Sequence, residues 1–350
     1  MKGRPNTRRQ LLATLIKASA VSAASSMMTW SARAAEPART VTDMARRRVA
    51  LPARIERIVT LGSLPVINSF VFTMGEGRRI VNGLADFARP HWKYQTVFAP
   101  QLAGQPTMQQ PNREPNVEAL LAGRPDVVLT MHRESLERLA ALGIPVVYLA
   151  WREPEDVKAC MTLLGQVFGK PEVAERYVRW FDTTLATVQQ GLRGVSAGER
   201  PRVLVLQPET MQQPRLIAEW WIPAAGGVSV SDDGRKTETR TFTLEQVLLW
   251  DPDILILSSP EALQRVRQER GFAPLKAVRS GQLHLVPVGA HTWSNRTAEQ
   301  PLTVLWAAKT FHPARFASLN VADETRTFYR EFFGHTLTEA QLAEILSGTL

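Results

Sequence analysis

The sequence predicts an α/β protein in which parallel strands alternate with helices in two successive series. Short, continuously apolar runs are separated by stretches with helical spacing, and this alternation resumes after residue 200. Continuous apolar runs are typical of parallel strands that are buried on both faces. A long helical stretch at residues 153–194 separates the two series. With 350 residues, the chain is long enough for two domains.

The first series consists of strands and helices in βαβ order. Helices are predicted where apolar residues recur at helical spacing, and a glycine ends each of them. The predicted helices cover residues 116–123 and 133–143, and the predicted strands cover residues 55–61, 79–84, 126–131 and 145–149.

The second series repeats the pattern and ends in helices. Thr243 can cap a helix that runs through Leu249, with Gln246 as its capping-box partner. Residues 298–350 are helical in pattern almost throughout. The predicted strands of this series cover residues 202–206, 253–257 and 282–286.

The helical stretch between the two series is longer than an ordinary crossover helix. Gly169, Lys170 and Pro171 interrupt it, and we expect a kink there because proline removes a helix donor. A long helix between two α/β units would act as a stiff hinge.

One helix–strand unit occurs in both series. Glu118 lies seven residues before Pro125, and Glu245 lies seven residues before Pro252. In each case a Pro-Asp pair opens the following strand. The residues alone leave chance similarity open, because helix–strand joints often contain Pro-Asp.

The N-terminal segment has the layout of an export signal. Residues 1–34 hold six basic residues and no acid, so the formal net charge falls from +9 to +3 without them. Arg8-Arg9 before a weakly apolar stretch resembles a twin-arginine signal. We expect cleavage after Ala34 or Ala35, an N-terminal tail at 35–54, and a mature protein in the periplasm. An uncleaved anchor helix is the less favoured alternative.

The remaining charge and the cysteine count exclude several classes. A net charge of +3 with interspersed acids does not predict a nucleic-acid partner. Cys160 is the only cysteine, so an internal disulfide is excluded. No cysteine stands directly after the predicted cleavage site, so we expect no lipoprotein anchor.

Five segments, taken together in their order and spacing, carry a family resemblance: 57–61, 115–126, 245–253, 275–287 and 305–313. They resemble the periplasmic substrate-binding proteins of the iron-siderophore and vitamin B12 ABC importers. The resemblance implies two Rossmann-like lobes with mostly parallel sheets, at 55–152 and 197–350. A long rigid helix at 153–196 would join them, and the ligand would lie in the cleft between the lobes.

The same resemblance implies which partners the protein has, and it implies that the protein binds its ligand without catalysing a reaction. Glu118 and Glu245 match the glutamates that dock each lobe onto arginines of the ABC permease dimer in the inner membrane. The alternative for both is a solvated helix glutamate. We expect a monomer that binds a small-molecule metal chelate, with no resident cofactor.

Aromatic and arginine side chains are frequent in the loops after the predicted strands. Ligands of open α/β sheets lie beyond the carboxyl ends of the strands. The loop residues predicted to bind ligand are Trp92, Tyr94, His132, Arg133, Trp151, Arg152, Trp220, Trp221, Arg240, His291, Trp293 and Arg296.

Tryptophan offers a flat apolar face, and arginine offers five donors to anionic oxygens. These residue types suit an iron(III)-siderophore-type chelate. Haem, cobalamin, molybdate or tungstate, and a nickel or cobalt chelate remain alternatives. His91, His132 and His291 lie on predicted cleft loops, but their spacing matches no metal motif, and we predict no direct metal site.

An enzyme is the less favoured class. The sequence contains no G-x-S-x-G elbow, no GxxxxGK[ST] loop and no GxGxxG turn. We therefore predict no catalytic residues, and a periplasmic enzyme that acts on such a chelate stays as the alternative.

Overall fold

The computed structural model describes residues 39–85 and 88–349. The predicted export signal lies outside these residues. Among the described residues, the first half of the chain holds a hairpin, a sheet and four α-helices. Its strands are β1 (Arg39–Thr42), β2 (Arg48–Leu51), β3 (Ile58–Leu61), β4 (Val127–Thr130) and β5 (Val146–Tyr148), and its helices are α1 (Leu64–Thr73), α2 (Lys93–Phe98), α3 (Val117–Gly123) and α4 (Leu136–Ala140).

Two helices connect the halves where one kinked helix is predicted. They are α5 (Pro154–Phe168) and α6 (Pro171–Gly191). Helix α5 ends at Gly169, whose φ of 66° is in the left-handed region that favours glycine. Gly165 lies so close to Ala174 that a Cβ added there would be 2.8 Å from the alanine Cβ. The two helices therefore cross tightly directly after the predicted break.

The second half holds a second sheet, a small ribbon and seven helices. Its strands are β6 (Arg202–Val205), β7 (Gln212–Pro214), β8 (Val228–Ser229), β9 (Thr239–Thr241), β10 (Ile254–Leu257) and β11 (Leu283–Leu285). Its helices are α7 (Trp221–Ala224), α8 (Leu244–Trp250), α9 (Pro260–Gln268), α10 (Lys276–Arg279), α11 (Gln300–Phe311), α12 (Val321–Phe332) and α13 (Glu339–Ser347).

The two larger sheets are parallel throughout. The first has the order β3-β4-β5 and the second has the order β11-β10-β6-β8. We call the units built on them the first lobe and the second lobe. The pairs β1-β2 and β7-β9 are antiparallel. The predicted α/β fold class, with two Rossmann-like lobes around a helical connection, is confirmed.

The segment predicted as a strand at residues 79–84 forms only a single bridge, from Ile80 to Ile58. Beyond this bridge, the Asn82 side chain makes the hydrogen bonds to β3 that the backbone of a paired strand would make. Its Oδ1 accepts from the Thr60 amide at 2.9 Å, and its Nδ2 donates to the Thr60 carbonyl at 2.9 Å. The prediction was wrong because an amide side chain can supply both strand-type hydrogen bonds.

The predicted tail at residues 35–54 contains the β1-β2 hairpin. Val41, Val49 and Leu51 are buried in the main core. Asp43 is buried in the turn and accepts from the Arg47 backbone at 2.9 Å and from its guanidinium. The hairpin is therefore part of the folded first lobe from Arg39 onward.

The repeated helix–strand unit has the same contacts in both lobes. In the first lobe, Asp126 Oδ2 accepts from the Arg57 amide at 2.9 Å, and Arg57 Nε donates to the Gly123 carbonyl at 2.8 Å. In the second, Asp253 Oδ2 accepts from the Arg202 amide at 2.8 Å, and the Arg202 guanidinium donates to the Trp250 carbonyl at 2.9 Å. The aspartate of each Pro-Asp pair thus anchors the start of the neighbouring strand, and the repeat is structural.

The predicted capping box of α8 is present. Thr243 Oγ1 accepts from the Gln246 amide at 3.3 Å, and the Gln246 side chain accepts from the Thr243 amide at 3.0 Å. The described buried apolar residues form three clusters, and the largest of them spans both lobes and includes Ile58 of β3 and Trp293 beyond β11. Within residues 39–85 and 88–349, no helix is long and apolar enough to cross a bilayer.

Candidate functional site

A cavity of about 440 Å³ opens at the carboxyl end of β3. The first lobe supplies most of its wall, and His291 contributes from the second lobe. No carboxylate is present among its described lining residues. These residues are Gly62, Ser63, Leu64, Pro65, Leu84, Ala85, Ala88, Trp92, Thr107, Gln109, Gln110, Pro111, Arg113 and His291.

The turn from β3 into α1 forms the floor of this cavity. Gly62 has φ 94°, which is in the left-handed region where glycine is favoured. Ser63 precedes α1, and its side chain makes no capping hydrogen bond. The Leu64 and Val66 amides of the first helical turn have no acceptor within the helix, whereas Pro65 has no amide hydrogen. Together with the helix dipole, these two amides favour an anion.

Gln109 fixes the position of this turn. Its Oε1 accepts from the Gly62 amide at 2.8 Å, and its Nε2 donates to the Gly62 carbonyl at 3.2 Å. His132 follows β4 and lies beside the same glycine, since a Cβ added to Gly62 would be 3.3 Å from His132 Cδ2. Nδ1 of His132 is buried and has no hydrogen-bond partner among the residues that the structure describes. An imidazole therefore lies next to the turn that forms the cavity floor.

One wall of the cavity is an aromatic pair that joins the lobes. The rings of Trp92 and His291 stack with centroids 4.3 Å apart and planes inclined by 14°. His91 contacts the same indole edge-on, with centroids 4.2 Å apart. This wall can stack on a planar ligand, and movement of one lobe would separate its two halves.

Two buried side chains hold the loop that carries His291. Glu299 accepts from the Ala290 amide at 2.8 Å and from the His291 amide at 3.2 Å, and it also bonds Tyr329. Gln95 of the first lobe donates to the Ala290 carbonyl at 2.6 Å. The position of His291 is therefore set from both lobes.

Burial changes the protonation of this loop. Loss of solvent lowers the pKa of His291 to about 4, so its imidazole is neutral at neutral pH. Burial also disfavours the charged form of Glu299 and so raises its pKa, although its hydrogen bonds to Thr297 and Tyr329 act in the opposite direction. A neutral imidazole can stack on a ligand without adding charge to the cavity.

The predicted binding residues separate into three groups. Trp92 and His291 line the cavity, and His132 lies beside it. Arg133, Arg152 and Arg296 are at least partly exposed near the strand ends. The other six, which are Tyr94, Trp151, Trp220, Trp221, Arg240 and Trp293, make packing contacts or internal bonds, and Trp220 also lines a second cavity of about 670 Å³.

Packing accounts for the buried aromatic residues. Trp221 and Trp293 have no exposed surface, and their indole nitrogens donate to Ala218 and Tyr329. Trp151 packs on Phe70 with centroids 4.7 Å apart, and Trp220 stacks on Phe181 at 5.8 Å. In this arrangement Trp221 and Trp293 do not reach the cleft surface, because a large apolar ring next to a sheet is most stable inside the core.

Internal bonds engage two further candidates. The Tyr94 hydroxyl donates to Glu344 at 2.9 Å and lies near the Gln341 carbonyl. The Arg240 guanidinium bonds the Ser231 carbonyl, pairs with Asp233 at 3.2 Å and lies over the Trp250 ring at 5.1 Å. Neither side chain is directed into the cavity that opens at β3.

Gln109 and Arg113 are not among the binding residues predicted from the sequence. Both lie in the long connection that follows the bridge at Ile80 and contribute to the cavity wall. Arg113 has φ 68°, an uncommon left-handed conformation for a non-glycine residue. The length of this connection was the available signal, because long ordered loops often carry binding residues.

Glu118 and Glu245 occupy matching places in the two lobes. Each lies in the first turn of a seven-residue helix, α3 or α8, and each is exposed. Leu121 and Leu248 follow three residues later and are 37% and 36% exposed. Residues three apart share a helix face, so each lobe presents a carboxylate beside a leucine.

Metal-ligating side chains do not converge in the described part of the chain. Within it, no group of three or more His, Cys, Asp or Glu residues could hold a metal ion. Cys160 is buried in α5, and burial raises the pKa of its thiol.

Two parallel-sheet lobes, a helical connection and a cavity at the strand ends define an α/β solute-binding protein. The chain belongs to the periplasmic binding protein family, whose profile matches residues 79–287. The class of binding protein that the sequence resembles, that of the iron-siderophore and vitamin B12 importers, is confirmed.

Individual relatives are similar over most of the chain. The molybdate-binding protein MolA of Haemophilus influenzae is 24% identical over 84% of this chain and 91% of its own length. A vitamin B12-binding protein of Pectobacterium carotovorum is 24% identical over 62% of this chain and 76% of its own. A periplasmic solute binding protein from Veillonella parvula has a TM-score of 0.77, with 25% identity over 88% of this chain and 96% of that one.

Proposed function

We propose that this chain is the periplasmic receptor of an ABC importer and captures an anionic metal chelate of the iron(III)-siderophore type. The observation that carries the proposal is the cavity between Ser63, Gln109 and the Trp92–His291 pair, because both lobes contribute to its wall. A ligand bound there would contact both lobes and could report its presence through their relative position.

The chemistry of the cavity supports an anionic ligand that also has an organic shell. Helix α1 presents its N-terminus, Arg113 adds a cation, and the described lining contains no carboxylate. The paired rings offer a flat apolar surface. A volume of about 440 Å³ is within the range of small-molecule sites, and a four-oxygen anion would leave much of it to water.

A bare oxyanion such as molybdate is the second candidate. The helix N-terminus beside Gly62 and Ser63 is a site that needs no organic shell. The similarity to molybdate-binding MolA extends over 84% of this chain. Haem, cobalamin, and nickel or cobalt chelates are the other candidate ligands.

We infer that the permease dimer binds the faces of α3 and α8. Glu118 and Glu245 are exposed at equivalent positions, and a homodimeric or similarly symmetric partner would meet them with two equivalent cationic sites. Among the described residues, three of the four exposed large apolar side chains lie in these two helices: Leu121, Leu248 and Leu249. We further propose an exported, monomeric receptor that performs no reaction on its ligand and binds no nucleic acid.

Titration of intrinsic tryptophan fluorescence tests the ligand class directly, because Trp92 lies in the cavity wall. The panel comprises ferric catecholates, ferric hydroxamates, haem, cobalamin, molybdate and nickel–histidine. We expect a ferric chelate to bind most tightly. If nothing in the panel binds below about 100 μM, the receptor function is wrong. Release of a modified ligand by the purified protein would instead indicate an enzyme.

A further inference from the structure

Glu238 lies between two arginines that come from opposite lobes. Its carboxylate is 3.5 Å from the Arg152 guanidinium and 3.9 Å from the Arg296 guanidinium. Arg152 follows β5 at the carboxyl end of the first sheet, and Arg296 lies in the loop after β11, the corresponding end of the second sheet. One carboxylate therefore bridges two cations across the interlobe cleft.

The segment that carries Glu238 reaches the first lobe at a second point. Lys236 of this segment lies 3.5 Å from the Glu153 carboxylate, at the start of α5. The Glu238 carbonyl accepts from the Arg215 amide at 2.9 Å, which ties the segment to its own lobe. A cavity of about 670 Å³ lies beside it and is lined in part by Arg152, Glu153 and Lys236.

Arg152 and Arg296 are paired more loosely than Arg215, a buried arginine of the second lobe. Arg215 has a buried side chain and is saturated by Glu219 at 2.8 Å, Asp232 at 2.5 Å and Asp233 at 3.0 Å. The side chains of Arg152 and Glu238 are 73% and 56% exposed, and their distance is long for an ion pair. Exposed pairs of this kind stabilise a fold by at most about 1 kcal/mol, so exchange of the partner costs little.

We propose that Glu238 occupies, in the free protein, the place of an anionic group of the ligand. An anionic solute displaces the Glu238 carboxylate and joins Arg152 and Arg296, which connects the two lobes through the ligand. The first sheet, β3-β4-β5, would then have two anion-binding positions: the N-terminus of α1, which follows β3, and Arg152, which follows β5. Glu238 selects for solutes charged enough to replace it. This inference rests on the proposed receptor function.

Replacement of Glu238 tests the inference through a change in ligand preference. E238Q removes the competing charge and keeps the side-chain shape. Molybdate and the anionic iron(III) tris-catecholate complex are titrated against the mature protein, with cyanocobalamin as the probe without net charge. We expect E238Q to bind the anions about three- to ten-fold more tightly and R152Q and R296Q to bind them more weakly. Cobalamin affinity should not change.

E209Q is the matched control. Glu209 is exposed beyond β6 in the same lobe, and the ion pairs of Arg152 and Arg296 are with Glu238, so E209Q makes the same charge change without removing the partner of either arginine. The inference is overturned if E238Q binds the anions no more tightly than E209Q, or if neither anion binds to wild type or E238Q. The receptor function is wrong only if no ligand of the panel, including cobalamin, binds to the protein. If members of the panel bind but E238Q does not change the affinity for the anions, the inference is wrong and the receptor function stands.

Discussion

Trp92 and His291 stack face to face across the two lobes, with ring centroids 4.3 Å apart. The indole precedes α2 in the first lobe, and the imidazole follows β11 in the second. Because both rings also line the cavity at β3, the contact between the lobes and the wall of the site are the same structure. A ligand that inserts beside this pair would alter the contact that holds the lobes together here.

Removal of the indole should weaken binding. We expect Trp92→Ala to reduce the affinity for the tightest ligand of the panel by about 2 kcal/mol, or roughly thirty-fold, through lost stacking and lost apolar contact. Isothermal titration calorimetry measures the change without relying on fluorescence. Trp250→Ala is the control, because that indole packs on Phe242 and Arg240 and does not line the cavity at β3. Equal losses in both variants would contradict a role of Trp92 in the site.

Acidification should destabilise the fold through His291. Its folded pKa of about 4 lies below the ordinary value of about 6.5, so the unfolded chain binds the proton first. The stabilisation is complete above pH 6.5 and is lost as the pH falls to 4, by about 3 kcal/mol for this group. Urea unfolding of wild type and His291→Gln across this window should give a smaller pH dependence in the variant. Parallel profiles would show that His291 does not control it.

The loop that carries His291 should not tolerate a side chain at Gly289. A Cβ there would overlap the Tyr329 hydroxyl and a Glu299 carboxylate oxygen, both of which are buried. We expect Gly289→Ala to reduce the free energy of unfolding by about 2–3 kcal/mol, as overpacking of a dense core does. Gly198→Ala, at a glycine without a left-handed φ and with open space around it, is the comparison that shows the effect of the residue change without steric overlap. A loss no larger than that of the comparison would contradict the steric cause.

Transport and binding should separate at the two matched helices. We expect Glu118→Gln with Glu245→Gln to leave ligand affinity within about two-fold and to reduce uptake by about ten-fold or more, because charge complementarity sets the docking register. Uptake is measured in vesicles that contain the cognate permease. Glu137→Gln with Glu175→Gln changes the same charge on exposed helices elsewhere. A loss of ligand binding in the Glu118/Glu245 variant would place these residues in the ligand site instead.

The strand anchors should make comparable contributions in the two lobes. Asp126→Ala leaves the Glu56 and Arg57 amides without their acceptor, and Asp253→Ala does the same for the Arg202 amide. We expect each variant to lose about 1–3 kcal/mol in urea unfolding. Asp182→Ala, on the exposed surface of α6, is the control. No loss in either variant would mean that the repeat is not stabilising.

Local patterns predicted most of the elements. The capping box of Thr243, the break at Gly169 and the buried strands β4 and β10 depend on residues within a few positions of one another. The spacing from Glu118 to Asp126 also predicted a repeat, because the same helix–strand joint makes the same local contacts in each lobe. Asn82 was the exception, since its side chain replaces a strand that the apolar pattern predicts.

Tertiary structure alone decided which aromatic residues face the cleft. Trp92, Trp221 and Trp293 all follow predicted strands, yet Trp92 lines the cavity and the other two are buried. Composition does not distinguish these outcomes, because an indole is stable both in a core and on a binding surface. The roles of Gln109 and Glu238 depend on partners distant in the chain, Gly62 for the first and Arg152 and Arg296 for the second. Secondary structure follows from contacts within a few residues, whereas a site between lobes exists only once distant loops have been placed side by side.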